Sequence, residues 1–109
     1  MAGAWYVSGM RIIAKRTLRQ FWEGHPRGAE ARTPLQVWHS TVAAVDWAAP
    51  GDVKATYGDA SILKDSRVVF NIGGNKFRLV ARINYAYRIV YIRFVGTHEE
   101  YDKINAETI

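Results

Sequence analysis

Along the second half of the chain, apolar and polar residues alternate with a period of two that a strand can use and a helix cannot. From Lys76 to Ile83 the odd positions are Phe77, Leu79, Ala81 and Ile83, and the even ones are Lys76, Arg78, Val80 and Arg82. The next run sets Val90, Ile92 and Phe94 against Ile89, Tyr91, Arg93 and Val95, while upstream Val68 and Phe70 oppose Arg67, Val69 and Asn71. Gly73-Gly74-Asn75 supplies the positive-φ residues of a tight hairpin between the first two runs. The pattern predicts three antiparallel strands with one apolar and one mostly cationic face.

The first half follows a different period. A short strand over 11–14 leads to Thr17, the expected N-cap of a helix with Leu18, Phe21 and Trp22 on one face, and Gly24-His25-Pro26 ends it. Leu35, Trp38, Val42 and Val45 form the stripe of a second, longer helix. Thr33-Pro34 fits its cap and first residue, and a start near Gly28 with Pro34 inside is the alternative. Residues 46–66, rich in Gly, Asp and Ser, read mainly as loop. The expectation is one α+β domain over residues 10–109, with two N-terminal helices packed on one face of a mainly antiparallel sheet and a short C-terminal helix. Residues 1–9 read as an N-terminal extension, either detachable or running into the first strand.

Charge sharpens this picture. The segment between Asp65 and Glu99 has no carboxylate, yet holds Arg67, Lys76, Arg78, Arg82, Arg88 and Arg93; the remainder carries nine basic and ten acidic residues. The net charge of +5 therefore resides in one small sheet, which points to a polyanion. If the strands are neighbours, Arg67, Lys76, Arg78, Arg82, Tyr91 and Arg93 share one surface. Cations on the solvent side of a sheet are also ordinary, since they deter edge pairing. With 109 residues and no cysteine the chain has room for one core and none for disulfides or thiolate metal sites. No apolar run reaches membrane-spanning length and no signal peptide opens the chain, so a cytoplasmic protein without membrane contact is expected.

Thr97-His98-Glu99-Glu100 fits a capping box, with Thr97 at the N-cap and Glu100 answering three residues later. His98 then stands in the first turn with Tyr101 on its face. An imidazole there can move a proton near neutral pH; a polar first-turn residue beside a packing aromatic fits the spacing as well. His25 and His39 lack partners at metal-ligand spacing and read as structural, and neither a metal nor a cofactor is expected.

MRIIAKRTLRQFWE, Trp38, VVFNIGGNKFRLVARI and YIRFVGTHEEYDK together resemble the HigB-type toxins of type II toxin-antitoxin modules, in the RelE superfamily of mRNA interferases. The resemblance spans about residues 10–105 and implies a RelE-like fold. It further implies an endoribonuclease acting on mRNA at the ribosome, held in check by a HigA-type helix-turn-helix antitoxin. Metal-independent RNA cleavage needs a base for the 2′-hydroxyl, cations for the phosphate and an acid for the leaving oxygen. The expected catalytic residues are Arg78, Arg93, His98 and Tyr101, with Arg78 and Arg93 clamping the phosphate if they are adjacent. Lys54, Arg67, Lys76, Arg82 and Tyr91 are the expected RNA contacts, Lys54 through a DVK-like stretch of the resembled family. A noncatalytic RNA-binding module would use the same basic face without His98. A DNA-binding regulator fits poorly, because no helix carries a basic stripe suited to the major groove.

Overall fold

The computed structural model describes residues 9–109, so most of the extension read at 1–9 lies outside the described residues. In chain order the elements are β1 (Arg11–Ile13), α1 (Lys15–Gly24), α2 (Gly28–Ala44), α3 (Pro50–Thr56), β2 (Ser61–Ile62), β3 (Arg67–Ile72), β4 (Phe77–Asn84), β5 (Ile89–Thr97) and α4 (His98–Tyr101). They form the expected α+β architecture. The sheet order is β1-β5-β4-β3-β2, antiparallel throughout except that β1 runs parallel to β5.

The apolar stripes find each other on the helix side of the sheet. Leu18 from α1 and Ala31, Leu35, Trp38 and Val42 from α2 are buried with Val68, Phe70, Phe77, Leu79, Ala81, Ile83 and Val90. Trp38 meets the Phe70 ring edge-on at 5.4 Å, and Trp47 stacks on it at 5.9 Å; each such pair adds about 0.5–1.5 kcal/mol beyond the area it buries. Between β3 and β4 the hairpin turn forms as read, with Gly73 and Gly74 at positive φ, whereas Asn75 is not.

The structure corrects four local expectations. Helix α1 begins at Lys15 with Ala14 at the N-cap, and Thr17 lies in its first turn, bonding the Ala14 carbonyl through its backbone N–H at 3.0 Å. Helix α2 starts at Gly28 and contains Pro34, the alternative start rather than the Thr33-Pro34 cap. Residues 46–66 are not mainly loop: Pro50 opens α3, the Asp52 carboxylate accepts from the Ala48 and Ala49 N–H groups at 2.8 and 3.1 Å, and Val53 is buried. The fourth correction bears on the cationic face.

That face is not open along its length. The β4–β5 register shifts between Val80 and Ala81: Val80 faces Phe94 and Ala81 faces Ile92, which leaves Arg93 as the extra residue of a bulge. A bulge inverts the alternation beyond it. Phe94, expected on the helix side, therefore packs in a second cluster with Val69, Val80, Ala106, Tyr101, Ile104 and Ile109, while Val95 joins the main core. The C-terminal segment thus covers the middle of the sheet face that sequence alternation left bare.

Candidate functional site

Two polar regions flank this covered middle. At one end, where β4 begins and β5 finishes, Arg78 lies opposite Gly96, and the chain turns through Thr97 into α4. The capping box forms as read: Thr97 Oγ1 accepts from the Glu100 N–H at 3.1 Å, and Glu100 Oε1 accepts from the Thr97 N–H at 2.8 Å. The His98 backbone N–H donates to the Lys76 carbonyl at 3.1 Å, which ties the first residue of α4 to the base of the hairpin. His98 is half-exposed, with Nδ1 3.2 Å from an Asp102 carboxylate oxygen. Lys76, Arg78 and His98 therefore share one end of the sheet, and Asp102 adds a carboxylate that the His98-to-Asp102 spacing of one helical turn could have revealed.

Arg78 is held rather than free. Its guanidinium donates to Asn75 Oδ1 at 2.6 Å and to the Asn75 and Phe77 carbonyls at 3.2 Å, so the hairpin turn sets its direction. Lys76 stands 3.7 Å from Glu30. Tyr101, three residues after His98 in α4, is partly buried against the second cluster.

The other polar region is a pocket of about 480 Å³ on the far half of β4 and β5. Arg82, its cross-strand partner Tyr91, and the bulged Arg93 line it with Ser66, Asn84 and Tyr85. Arg78 and Arg93 are thus not adjacent: the Val80–Phe94 pair separates the Arg78–Gly96 pair from the bulge. Burial, with Asp52 secondary, pushes the Tyr85 phenol above its usual pKa, and its hydroxyl is buried without a hydrogen-bond partner among the described residues.

The remaining expected contacts are engaged inside the fold. Arg67 donates to the Ile109 carbonyl at 3.2 and 2.7 Å and to the Asp65 carbonyl at 3.0 Å, fastening the segment over the sheet. Lys54 donates to the Gly58 and Ala60 carbonyls at 2.7 and 2.8 Å, on a helix that packs on the opposite side of the sheet. Arg88, the sixth cation of the carboxylate-free segment, pairs with Asp46. Arg82 and Arg93 alone among the six have no hydrogen-bonded or ionic partner among the described residues.

His25 is the residue whose partner sequence reasoning missed. Its ring stacks on Phe21 at 4.6 Å, its Nδ1 accepts from the Arg27 N–H at 3.0 Å, and its Nε2 lies 3.0 and 3.1 Å from the two Glu100 oxygens. Acceptance at Nδ1 places the proton on Nε2, which donates to Glu100. With the Thr97 N–H as the larger cause and His25 adding to it, the Glu100 carboxyl is held below its ordinary pKa despite an opposing contribution from burial. His39 is held below its ordinary value by burial first and Lys15 second. Among the described residues no group of three or more His, Cys, Asp or Glu could hold a metal ion, and no helix is long and apolar enough to cross a membrane.

Comparison with known proteins gives a consistent result. The family described as HigB toxin, RelE-like toxic component of a toxin-antitoxin system, matches residues 31–104. The mRNA interferase toxin HigB of Escherichia coli strain K12 is 33% identical over 99 residues, covering 89% of this chain and 92% of the relative. The mRNA interferase HigB of Shigella flexneri matches to the same extent. That of Escherichia coli strain CFT073 is 25% identical over 97 residues, covering 87% of this chain and 91% of the relative. With a fold of two helices against an antiparallel sheet and a family match across most of its length, the chain belongs to the HigB family of RelE-like toxins of toxin-antitoxin systems.

Proposed function

We propose that this toxin is an endoribonuclease that cuts mRNA on the translating ribosome in the cytoplasm, and that a HigA-type helix-turn-helix antitoxin neutralises it. The observation that carries the catalytic reading is the meeting of Lys76, Arg78 and His98 at one end of the sheet. The relatives' name, mRNA interferase, supports the substrate class.

Cleavage without a cofactor proceeds by attack of the 2′ oxygen on the adjacent phosphorus as the bond to the 5′ oxygen breaks. The Asp102 carboxylate beside Nδ1 favours the tautomer with its proton there, leaving the Nε2 lone pair of His98 to take the 2′-hydroxyl proton. Arg78, already aimed by Asn75, and Lys76 offset the charge that grows on the phosphate oxygens. Tyr101, three residues on, is the donor for the 5′ oxygen. Arg82, Tyr91 and Arg93 contact RNA away from this centre. Arg67 and Lys54 act through the fold, by fixing the C-terminal segment and the end of α3.

His98→Gln tests the assignment. The substitution keeps a polar first-turn residue and leaves the Thr97 cap intact, so ribosome and antitoxin binding should persist while mRNA cleavage in a translating extract falls by about 100-fold or more. Cleavage near the parent rate would remove His98 from the chemistry. A parent protein that binds RNA without cutting it would make the chain an RNA-binding module instead.

A further inference from the structure

We propose that the pocket over Arg82, Tyr91 and Arg93 is a nucleotide subsite, distinct from the cleavage centre, that holds a residue of single-stranded RNA flanking the cut bond and thereby sets sequence preference. The proposal rests on the reading of RNA as substrate. Its pocket, at about 480 Å³, falls within the size range of small-ligand sites. None of its lining residues carries a carboxylate, and Arg82 and Arg93 are the two cations of the carboxylate-free segment not consumed by an internal partner among the described residues.

Separation makes it a subsite of its own. Arg82 lies four residues along β4 from Arg78, roughly 13 Å at the rise of a strand, which exceeds the span of one phosphate group. The apolar Val80–Phe94 pair, packed under Tyr101 and Ile104, lies between them. Guanidinium groups in the pocket therefore meet a different nucleotide from the one held by Arg78. Arg93, the extra residue of the bulge, lines the pocket with Tyr91 and Arg82, and bulges are common beside functional sites.

Chemistry selects the ligand. Two guanidiniums unpaired among the described residues flank a half-buried phenol ring, the combination that takes a phosphate on the cations and a base on the aromatic face. Tyr87, 76% exposed in the β4–β5 loop two residues beyond Tyr85, offers a second ring at the loop that rims the pocket. Paired RNA presents its bases edge-on inside a helix, so a stacking site of this kind favours an unpaired strand.

The test uses the full-length His98→Gln protein and a fluorescently labelled single-stranded oligoribonucleotide, followed by anisotropy. Tyr91→Ala and Arg82→Gln should each weaken binding by on the order of 10-fold, whereas Tyr91→Phe, which keeps the ring, should stay within about threefold of the parent. Thermal melts of each variant confirm folding. In the cleavage-competent background the same substitutions should raise KM and redistribute the cut sites, leaving kcat within about threefold. Unchanged affinity in Tyr91→Ala and Arg82→Gln would overturn the subsite, as would a fall in kcat at constant KM, which would place the pocket in the reaction centre. If the parent protein cuts no mRNA yet its oligoribonucleotide binding still depends on Tyr91, the cleavage reading fails and the subsite stands.

Discussion

Glu100 joins three parts of the chain through one carboxylate. It caps the Thr97 N–H, is capped in return, and receives the Nε2–H of a histidine 75 residues away, so that α4 is fastened to the end of α1. Its carboxyl pKa is depressed, chiefly by the Thr97 N–H and further by His25. A depressed carboxyl contributes stability that is present above the unfolded pKa and lost as pH falls through the folded one. Stability should therefore drop below the ordinary value of 4.5, and Glu100→Gln should flatten that acid limb while lowering the melting temperature near neutral pH. Melts across the acid range check this; a parental acid limb in the variant would mean the contact contributes nothing. The capping box was legible because it is written in four consecutive residues. His25 was not, because nothing near it in sequence indicates a partner so remote along the chain.

Elements were legible where a periodic stripe met a single layer, and illegible where tertiary geometry chose among local options. The β3–β4 hairpin and the buried face of α2 follow from alternation and helical spacing. The bulge at Arg93 does not, because the run from Ile89 to Val95 continues without Gly or Pro to mark a slip in register. That slip exchanges Phe94 and Val95 and separates Arg93 from Arg78. The start of α2 is a similar case, settled by how closely it meets α1. A Cβ on Gly28 would lie 2.5 and 2.6 Å from the Phe21 and Trp22 carbonyl oxygens, backbone atoms that cannot swing aside. Gly28→Ala should cost about 1–3 kcal/mol, the usual range for forcing atoms into a packed site. Gly24→Ala provides the contrast, since a Cβ there meets nothing within 4 Å and alanine at a compatible position stabilises by about 0.4–1 kcal/mol through lower entropy of the unfolded chain. Urea denaturation of the two variants should move the midpoint in opposite directions.

At the scale of the whole molecule, localisation of charge was legible and its availability was not. Six cations in a segment without carboxylates suggested one continuous track. Folding engages Arg67 with the C-terminal segment, Lys76 with Glu30 and Arg88 with Asp46, which leaves Arg78 aimed at one end and Arg82 and Arg93, without a partner among the described residues, at the other. The salt dependence of RNA binding separates these classes. Each phosphate contact on a single strand contributes a slope of about 0.7 in the logarithm of affinity against the logarithm of salt. Arg78→Ala, Arg82→Ala and Arg93→Ala should each flatten the slope by roughly that amount. Lys54→Ala should leave the slope unchanged, because its ammonium already serves two carbonyls on a helix packed on the other side of the sheet. Equal flattening by Lys54→Ala would show that RNA reaches around the sheet edge to α3. Slopes untouched by all four substitutions would show that the sheet's cations serve solvation rather than the RNA backbone.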